Sequence, residues 1–204
     1  MGDCMVKKKI AITGGIGSGK STVLQLLKEM GYPVFSCDEL YREVIRSQLY
    51  IQKIADIFPA VIENGEINRK RLAAEVFSDK KKREKLNATA HPLIMRQLMK
   101  KMDVIENKFV FAEVPLLFEG NYECLFDAVI VVQRKIEDRI RFVCLRDGLT
   151  EQQAKERIAA QFDYHAVESH PKFKQCNAYI LLNETEKEAL TIPLKKNHKQ
   201  YWGK

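Results

Sequence analysis

Five short apolar runs recur along the chain, at Ile10–Thr13, Pro33–Cys37, Phe109–Val114, Ala128–Gln133 and Ala178–Leu182. They are nearly continuous rather than alternating, the pattern of strands in a parallel sheet covered on both faces. Helical periods lie between them. Val23, Leu26, Leu27 and Met30 fall at i, i+3, i+4 and i+7, and Gly31 with Pro33 then closes that helix and opens the next strand. Strand, helix, strand in that order predicts a right-handed crossover and an α/β fold.

About seventy residues separate the second and third runs, too many for a simple loop. They read as helices over 38–46, 51–58, 69–77, 78–90 and 92–102, the last carrying Met95, Leu98, Met99 and Met102 at helical spacing. The expectation is a helical insertion at the edge of the sheet. A second excursion runs over 136–165, where Thr150 and Gln153 are spaced as a capping box.

Composition narrows this picture without choosing a function. With 204 residues, 46% hydrophobic and 30% charged, the chain can bury a good core. The net charge of +7 favours anionic partners. The densest basic run, Lys80 to Arg83, lies in a predicted helix and reads as a solvated face, with no aromatic ladder of the kind single-stranded nucleic acid needs. No nucleic-acid or membrane partner is expected, and no sequence feature sets an oligomeric state. Five scattered cysteines without a CxxC pair suit reduced thiols in the cytoplasm. The Lys7-Lys8-Lys9 start precedes too short an apolar run for a signal peptide, and the Met-Gly opening lacks the Ser or Thr of a myristoylation site.

The chemistry concentrates in Gly14-Gly15-Ile16-Gly17-Ser18-Gly19-Lys20-Ser21, which fits G-x-x-x-x-G-K-[ST] between a strand and a helix. Each glycine costs chain entropy, so something must need the bare backbone. Successive amides can turn inward around phosphate oxygens, and the helix N-terminus adds its positive end. Gly15, Gly17, Ser18, Gly19, Lys20, Ser21 and Thr22 are therefore the candidate nucleoside triphosphate contacts, with Lys20 reaching the β and γ phosphates and Ser21 holding Mg²⁺.

Phosphate binding does not specify the reaction. A GTPase switch would carry DxxG and NKxD, yet no Asp has Gly three places on and Asn107-Lys108 runs into Phe109-Val110. A small-molecule kinase needs an acceptor pocket and a group for the acceptor hydroxyl. Asp38, just past the second strand, is the candidate at the sheet edge where ligands of open α/β folds gather. It also has a purely local reading, as a first-turn acid beside a Ser36/Glu39 capping box.

With the loop, the acid in VFSCDEL, AHPLI at 90–94, VPLLFE at 114–119, LRDGLT at 145–150 and RIAAQ at 157–161, the chain closely resembles the dephospho-CoA kinase family over about 10–183. The resemblance implies transfer of the γ-phosphate of ATP, with Mg²⁺, to the 3′-hydroxyl of dephospho-coenzyme A; another P-loop acceptor, such as a nucleoside monophosphate, is the alternative. It implies a three-layer P-loop kinase fold in one chain of 1–204, with a nucleotide core over 10–37 and 109–200, a helical acceptor domain over 38–108 and a lid over 136–165. Asp38 matches the family base, a sensible role because a ribose hydroxyl is too weak an acid to ionise alone. Arg146 matches a lid arginine that meets ATP phosphates, for which a forked, permanently charged guanidinium is suited.

Arg69 and His91 match acceptor-binding positions, although His91 beside Pro92 also reads as a helix start. Arg157 reads either as an assistant to Arg146 or as an exposed helix residue. Leu116 and Leu117 fit the pantetheine end or the core. Glu113 ends the third strand and could order water around Mg²⁺. Glu119 follows the family pattern without a clear task. The chain departs from that pattern at CNAYILLNE, which keeps Asn183 and loses the family's acids, and the Lys-rich tail after Thr191 carries no motif.

Overall fold

The computed structural model describes residues 6–77, 79–184, 190 and 194. Cys4, the Met-Gly opening, Ser78 and the Lys-rich tail lie outside the described residues. Two compact units emerge, one of 1–34 with 105–204 and one of 35–104.

In the first unit, β1 (Lys8–Thr13) leads into α1 (Lys20–Glu29) and then β2 (Val34–Ser36), whose first residue closes this segment. After the second unit come β5 (Phe109–Glu113) and β6 (Ala128–Gln133), then α6 (Ile136–Asp147), α7 (Glu151–Ala159), the short α8 (Pro171–Gln175) and β7 (Ala178–Leu182). The sheet order is β2-β5-β1-β6-β7, with β1 parallel to β5 and β6, and β6 parallel to β7. All five expected strands keep their place to within two residues, β2 being shorter by one residue at each end.

Both faces of the sheet are dry. Ile10, Ile12, Phe111, Ile130 and Val132 pack with Val23 and Leu27 of α1 in one apolar cluster. The alternate positions Ala11, Val110, Ala112, Val129 and Val131 are equally inaccessible. A strand covered on both sides has no polar face to show, which is why these runs lack alternation. Because β1 has β5 on one side and β6 on the other, the chain leaves β1 at the point where strand order reverses, where the crevice of an open α/β sheet lies.

The second unit contains α2 (Cys37–Val44), α3 (Gln48–Ile57), the hairpin β3 (Ile62–Glu63) and β4 (Glu66–Ile67), α4 (Arg69–Phe77) and α5 (Lys80–Asp103). Two expectations change here. The helices predicted over 78–90 and 92–102 are one, α5, with Pro92 inside it. An internal proline forfeits a helix hydrogen bond at about 3 kcal/mol. The helix continues because its buried stripe Ala90, Ile94, Leu98 and Met102 runs through the proline unbroken, with Pro92 itself exposed. The hairpin was not anticipated, although Asn64-Gly65 is its signature: both residues have positive φ, at 52° and 80°, as a two-residue turn of matching twist requires.

The basic run at the start of α5 is more than a solvated face. Asp79 caps the helix by accepting from the N–H groups of Lys81 and Lys82. Lys82 pairs with Glu75, and Arg83 donates to the last carbonyls of α4, at 3.2 Å to Val76 and 2.6 Å to Phe77. These contacts satisfy helix-end carbonyls that have no partner of their own.

Candidate functional site

β1 ends on fully buried Thr13, and the chain passes through Gly14 to Gly19 before α1 begins at Lys20. Gly19 caps that helix in a left-handed conformation at φ 92°. A side chain there would also meet Asn183, whose Nδ2 lies 1.9 Å from where a Cβ would stand. Lys20 folds over the loop, its Nζ donating to the carbonyls of Gly14 at 2.8 Å and Gly15 at 3.1 Å. Ser21 is exposed at the mouth of the turn.

The loop is held by residues far away in sequence, which sequence reading did not identify. The Ile16 peptide is gripped at both ends: its N–H donates to Gln161 Oε1 at 2.7 Å, and its carbonyl accepts from Arg139 Nε at 2.9 Å. Arg139 is 4% exposed and fills the space that a Gly15 side chain would need, with Nη2 2.2 Å from that Cβ position. Burial lowers its pKa, and the nearby Asp163 and Tyr164 oppose that shift. The guanidinium still only donates, so His165 Nε2, 3.3 Å from Arg139 Nη1, is the acceptor of that contact. Asn183 Nδ2 donates to Ser18 O at 2.9 Å. The residue kept at the end of CNAYILLNE therefore serves the loop backbone.

Glu119 gains a task. Its Oε1 accepts from Phe162 N at 3.2 Å, and its Oε2 lies 3.4 Å from the Tyr164 hydroxyl. That hydroxyl is 3.0 Å from Thr13 Oγ1, so the segment after α7 is fastened to the root of the loop. Burial, then the Glu119 charge, pushes the Tyr164 pKa well above its ordinary value. Leu117 is fully buried in the core. Glu113 ends β5, and its strand partner is Ile12 of β1.

In the segment 136–165, Thr150 and Gln153 form the expected capping box. Arg139, Val143 and Arg146 follow one another at i, i+4 and i+7 on one face of α6. Val143 is in contact range of the Gly17 position, its Cγ2 3.2 Å from where a Cβ would be. Arg146 is the next residue along that face, half exposed, with Nε and Nη2 donating to the two Asp147 carboxylate oxygens at 2.7 and 2.9 Å. Arg157 reaches the same carboxylate at 3.3 Å. The Arg146 hydrogen bond holds the Asp147 pKa below its usual value, with Arg157 adding to the effect.

The second unit carries the other sequence candidates. Asp38 is exposed in the first turn of α2. Ser36 caps that helix by accepting from Asp38 N at 3.3 Å, so the expected box with Glu39 does not form. His91 is half-buried in the interior of α5 rather than at a helix start, and burial lowers its pKa. Arg69 opens α4 and lines a cleft of about 590 Å³ with Tyr41, Ile45, Arg46, Tyr50 and Leu72.

Comparison with known proteins agrees with this layout. A family model described as dephospho-CoA kinase matches residues 8–187. A dephospho-CoA kinase of Geobacillus kaustophilus is 37% identical over 185 residues, covering 88% of this chain and 90% of the relative. A solved structure from Thermus thermophilus superposes with a TM-score of 0.76 at 34% identity, covering 96% of this chain and 98% of the other. The solved dephospho-CoA kinase of Campylobacter jejuni gives 0.66 at 26% identity, with the same coverage.

Proposed function

The chain belongs to the dephospho-CoA kinase family, and on that premise we propose how its residues carry out the ATP-dependent phosphorylation of dephospho-coenzyme A at the ribose 3′-hydroxyl. The observation that carries the reading is the braced glycine loop between β1 and α1, with Lys20 folded over it.

The amides of 15–22 other than those of Ile16, Ser18 and Thr22, which donate within the protein, bind the triphosphate with the N-terminus of α1, and Lys20 exchanges its loop carbonyls for β and γ phosphate oxygens. Asp38 accepts the proton of the ribose hydroxyl as that oxygen attacks phosphorus in line with the leaving ADP. Exposure of Asp38 at a helix start keeps its carboxylate available for this and is favoured by the helix dipole. Arg146 supplies charge to the equatorial oxygens of the transferring group, and Asp147 holds its guanidinium ready between turnovers. Arg157, on the same carboxylate, helps to position that pair.

Arg69 and His91 bind the acceptor, Arg69 from the wall of the cleft in the second unit. Ser21, exposed in the first turn of α1, and Glu113, at the end of β5, suit a Mg²⁺ ion that keeps several waters and takes most of its oxygens from phosphate. When bound, that ion neutralises charge on the β and γ phosphates. We place the enzyme in the cytoplasm, where the free thiols of Cys37, Cys124, Cys144 and Cys176 stay reduced. Among the described residues no helix is long and apolar enough to cross a membrane.

The test is to incubate the protein with ATP, Mg²⁺ and dephospho-coenzyme A, with AMP and CMP as rival acceptors. ADP and a new 3′-monophosphate phosphorus resonance are expected with dephospho-coenzyme A alone. Transfer to AMP or CMP instead, or no transfer where ATP binds, removes the assignment.

A further inference from the structure

The recess behind the glycine loop is cationic. Gly15 and Ser18 line it together with Arg134, Arg139 and His165, and no carboxylate does so among the described residues. Arg139 is 4% exposed, and a guanidinium keeps its charge at any working pH. Its hydrogen bonds go to a carbonyl and an imidazole nitrogen rather than to a carboxylate, Nε to Ile16 O at 2.9 Å and Nη1 to His165 Nε2 at 3.3 Å. Asp163 and then Tyr164 act on its charge from further off, against the effect of burial. Tyr164 is a neutral phenol at neutral pH, because burial pushes its own pKa up. Asp163 is exposed, and its Oδ1 accepts from the N–H groups of His165 at 3.0 Å and Ala166 at 3.3 Å. One solvent-screened carboxylate therefore offsets this buried cation only in part, and a buried charge without a close anion is costly to keep.

The charge lies directly against the loop. Cζ of Arg139 is 2.8 Å from where a Gly15 Cβ would stand, and the Arg139 carbonyl oxygen is 3.0 Å from the corresponding point at Gly17. Helix α6 thus docks on the loop at positions that only a missing side chain leaves open. Lys20 Nζ also reaches the Gly15 carbonyl, at 3.1 Å, so this one residue is flanked by two cations. The two differ in kind: Lys20 extends to phosphate on a flexible stem, whereas the planar fork of Arg139 is locked by burial and by its bond to Ile16.

We propose that Arg139 is a further positioning residue of the nucleotide site, a fixed buried charge that acts through the loop and makes affinity grow with the number of phosphates on the ligand. This rests on the reading of the loop as the triphosphate site. A charge set in place before the ligand arrives, in surroundings that water does not screen, needs no reorganisation on binding. The triphosphate in turn supplies the anion that Arg139 lacks within the protein.

The charge and the grip on Ile16 can be separated, because Nε2 of a glutamine stands as many bonds from the main chain as Nε of an arginine. Arg139→Gln keeps a donor for the Ile16 carbonyl and removes the charge, whereas Arg139→Lys keeps the charge and loses the fork. Binding of ATP, ADP and adenosine to the full-length protein is measured by calorimetry without acceptor. Arg139→Gln is expected to weaken ATP by about ten- to a hundredfold, the order of one charge interaction in a partly screened site, with ADP weakened less and adenosine within about twofold. Arg139→Lys is expected to keep most of the preference for ATP over adenosine. Tm of free Arg139→Gln is expected to hold or rise, since a buried cation goes while the bond to Ile16 stays. Equal weakening of all three ligands, or a lysine variant that loses the preference for ATP while the glutamine variant keeps it, would make Arg139 a mechanical brace and overturn the proposal. So would a glutamine variant too unstable to assay. If the wild type binds ATP no better than adenosine, the loop reading itself fails. If it prefers ATP and Arg139→Gln keeps that preference intact, only the role given to Arg139 fails.

Discussion

The glycine loop and the cleft of the second unit are built in opposite ways. The loop presents main-chain amides, so its chemistry is contiguous in sequence, while its shape depends on side chains 123 to 165 positions away. The cleft presents side chains, gathered from α2, α3, the hairpin, α4 and α5 within residues 41–86, and no two of its polar groups form a recognisable word. A backbone site needs an external brace because amides cannot hold themselves in a strained turn. A side-chain site is braced by the packing of the helices that present it. Damage to the two regions should therefore separate in the kinetics, the loop and its braces acting on ATP, the cleft on the acceptor.

The sharpest division is expected at Asp38. Asp38→Asn should leave ATP affinity nearly intact while turnover drops by about two to four decades, the span of a positioned proton acceptor. Unchanged turnover would return this residue to a helix-capping role. Arg146→Ala comes next, with turnover reduced by about ten- to a hundredfold and the acceptor KM much less affected, because its charge matters most in the transition state. Equal loss in both parameters would indicate uniform binding.

A smaller effect tests the brace. Gln161→Leu leaves the Ile16 amide without its acceptor, a loss of about 1–3 kcal/mol to be shared between stability and loop geometry. The KM for ATP should rise by roughly tenfold on that basis, with the acceptor KM unchanged. A rise in both would break the separation between loop and cleft.

The smallest effect is at Asp147. Its carboxyl pKa is depressed in the folded protein by the Arg146 hydrogen bond and then Arg157. Its contribution to stability is therefore present above the ordinary carboxylate pKa and lost as pH falls through the lower folded value. Comparing Tm of the wild type with Asp147→Asn, the small difference at neutral pH should vanish on acidification. A difference that grows in acid would reverse the sign and contradict the pairing.

Much of this was readable in one dimension because it is local. Strand runs such as Ile10–Thr13 show their burial directly, since both neighbours of every residue are also buried, and the Thr150/Gln153 cap is complete within four residues. Pro92 misled for a related reason: a proline signals a helix end by local cost, whereas the stripe from Ala90 to Met102 supplies the packing that overrides it. The Asn64-Gly65 hairpin was legible and passed over, its strands being only two residues each.

Residue order alone specified the α/β plan and the nucleotide loop, because strand burial and a glycine cradle are properties of consecutive residues, while the reaction came from the resemblance to a family. Folding in three dimensions decided that one arginine among many, Arg139, and one glutamine, Gln161, grip the same peptide. Such contacts join residues that no spacing rule relates, and they arise only when separate elements bring them within hydrogen-bond reach.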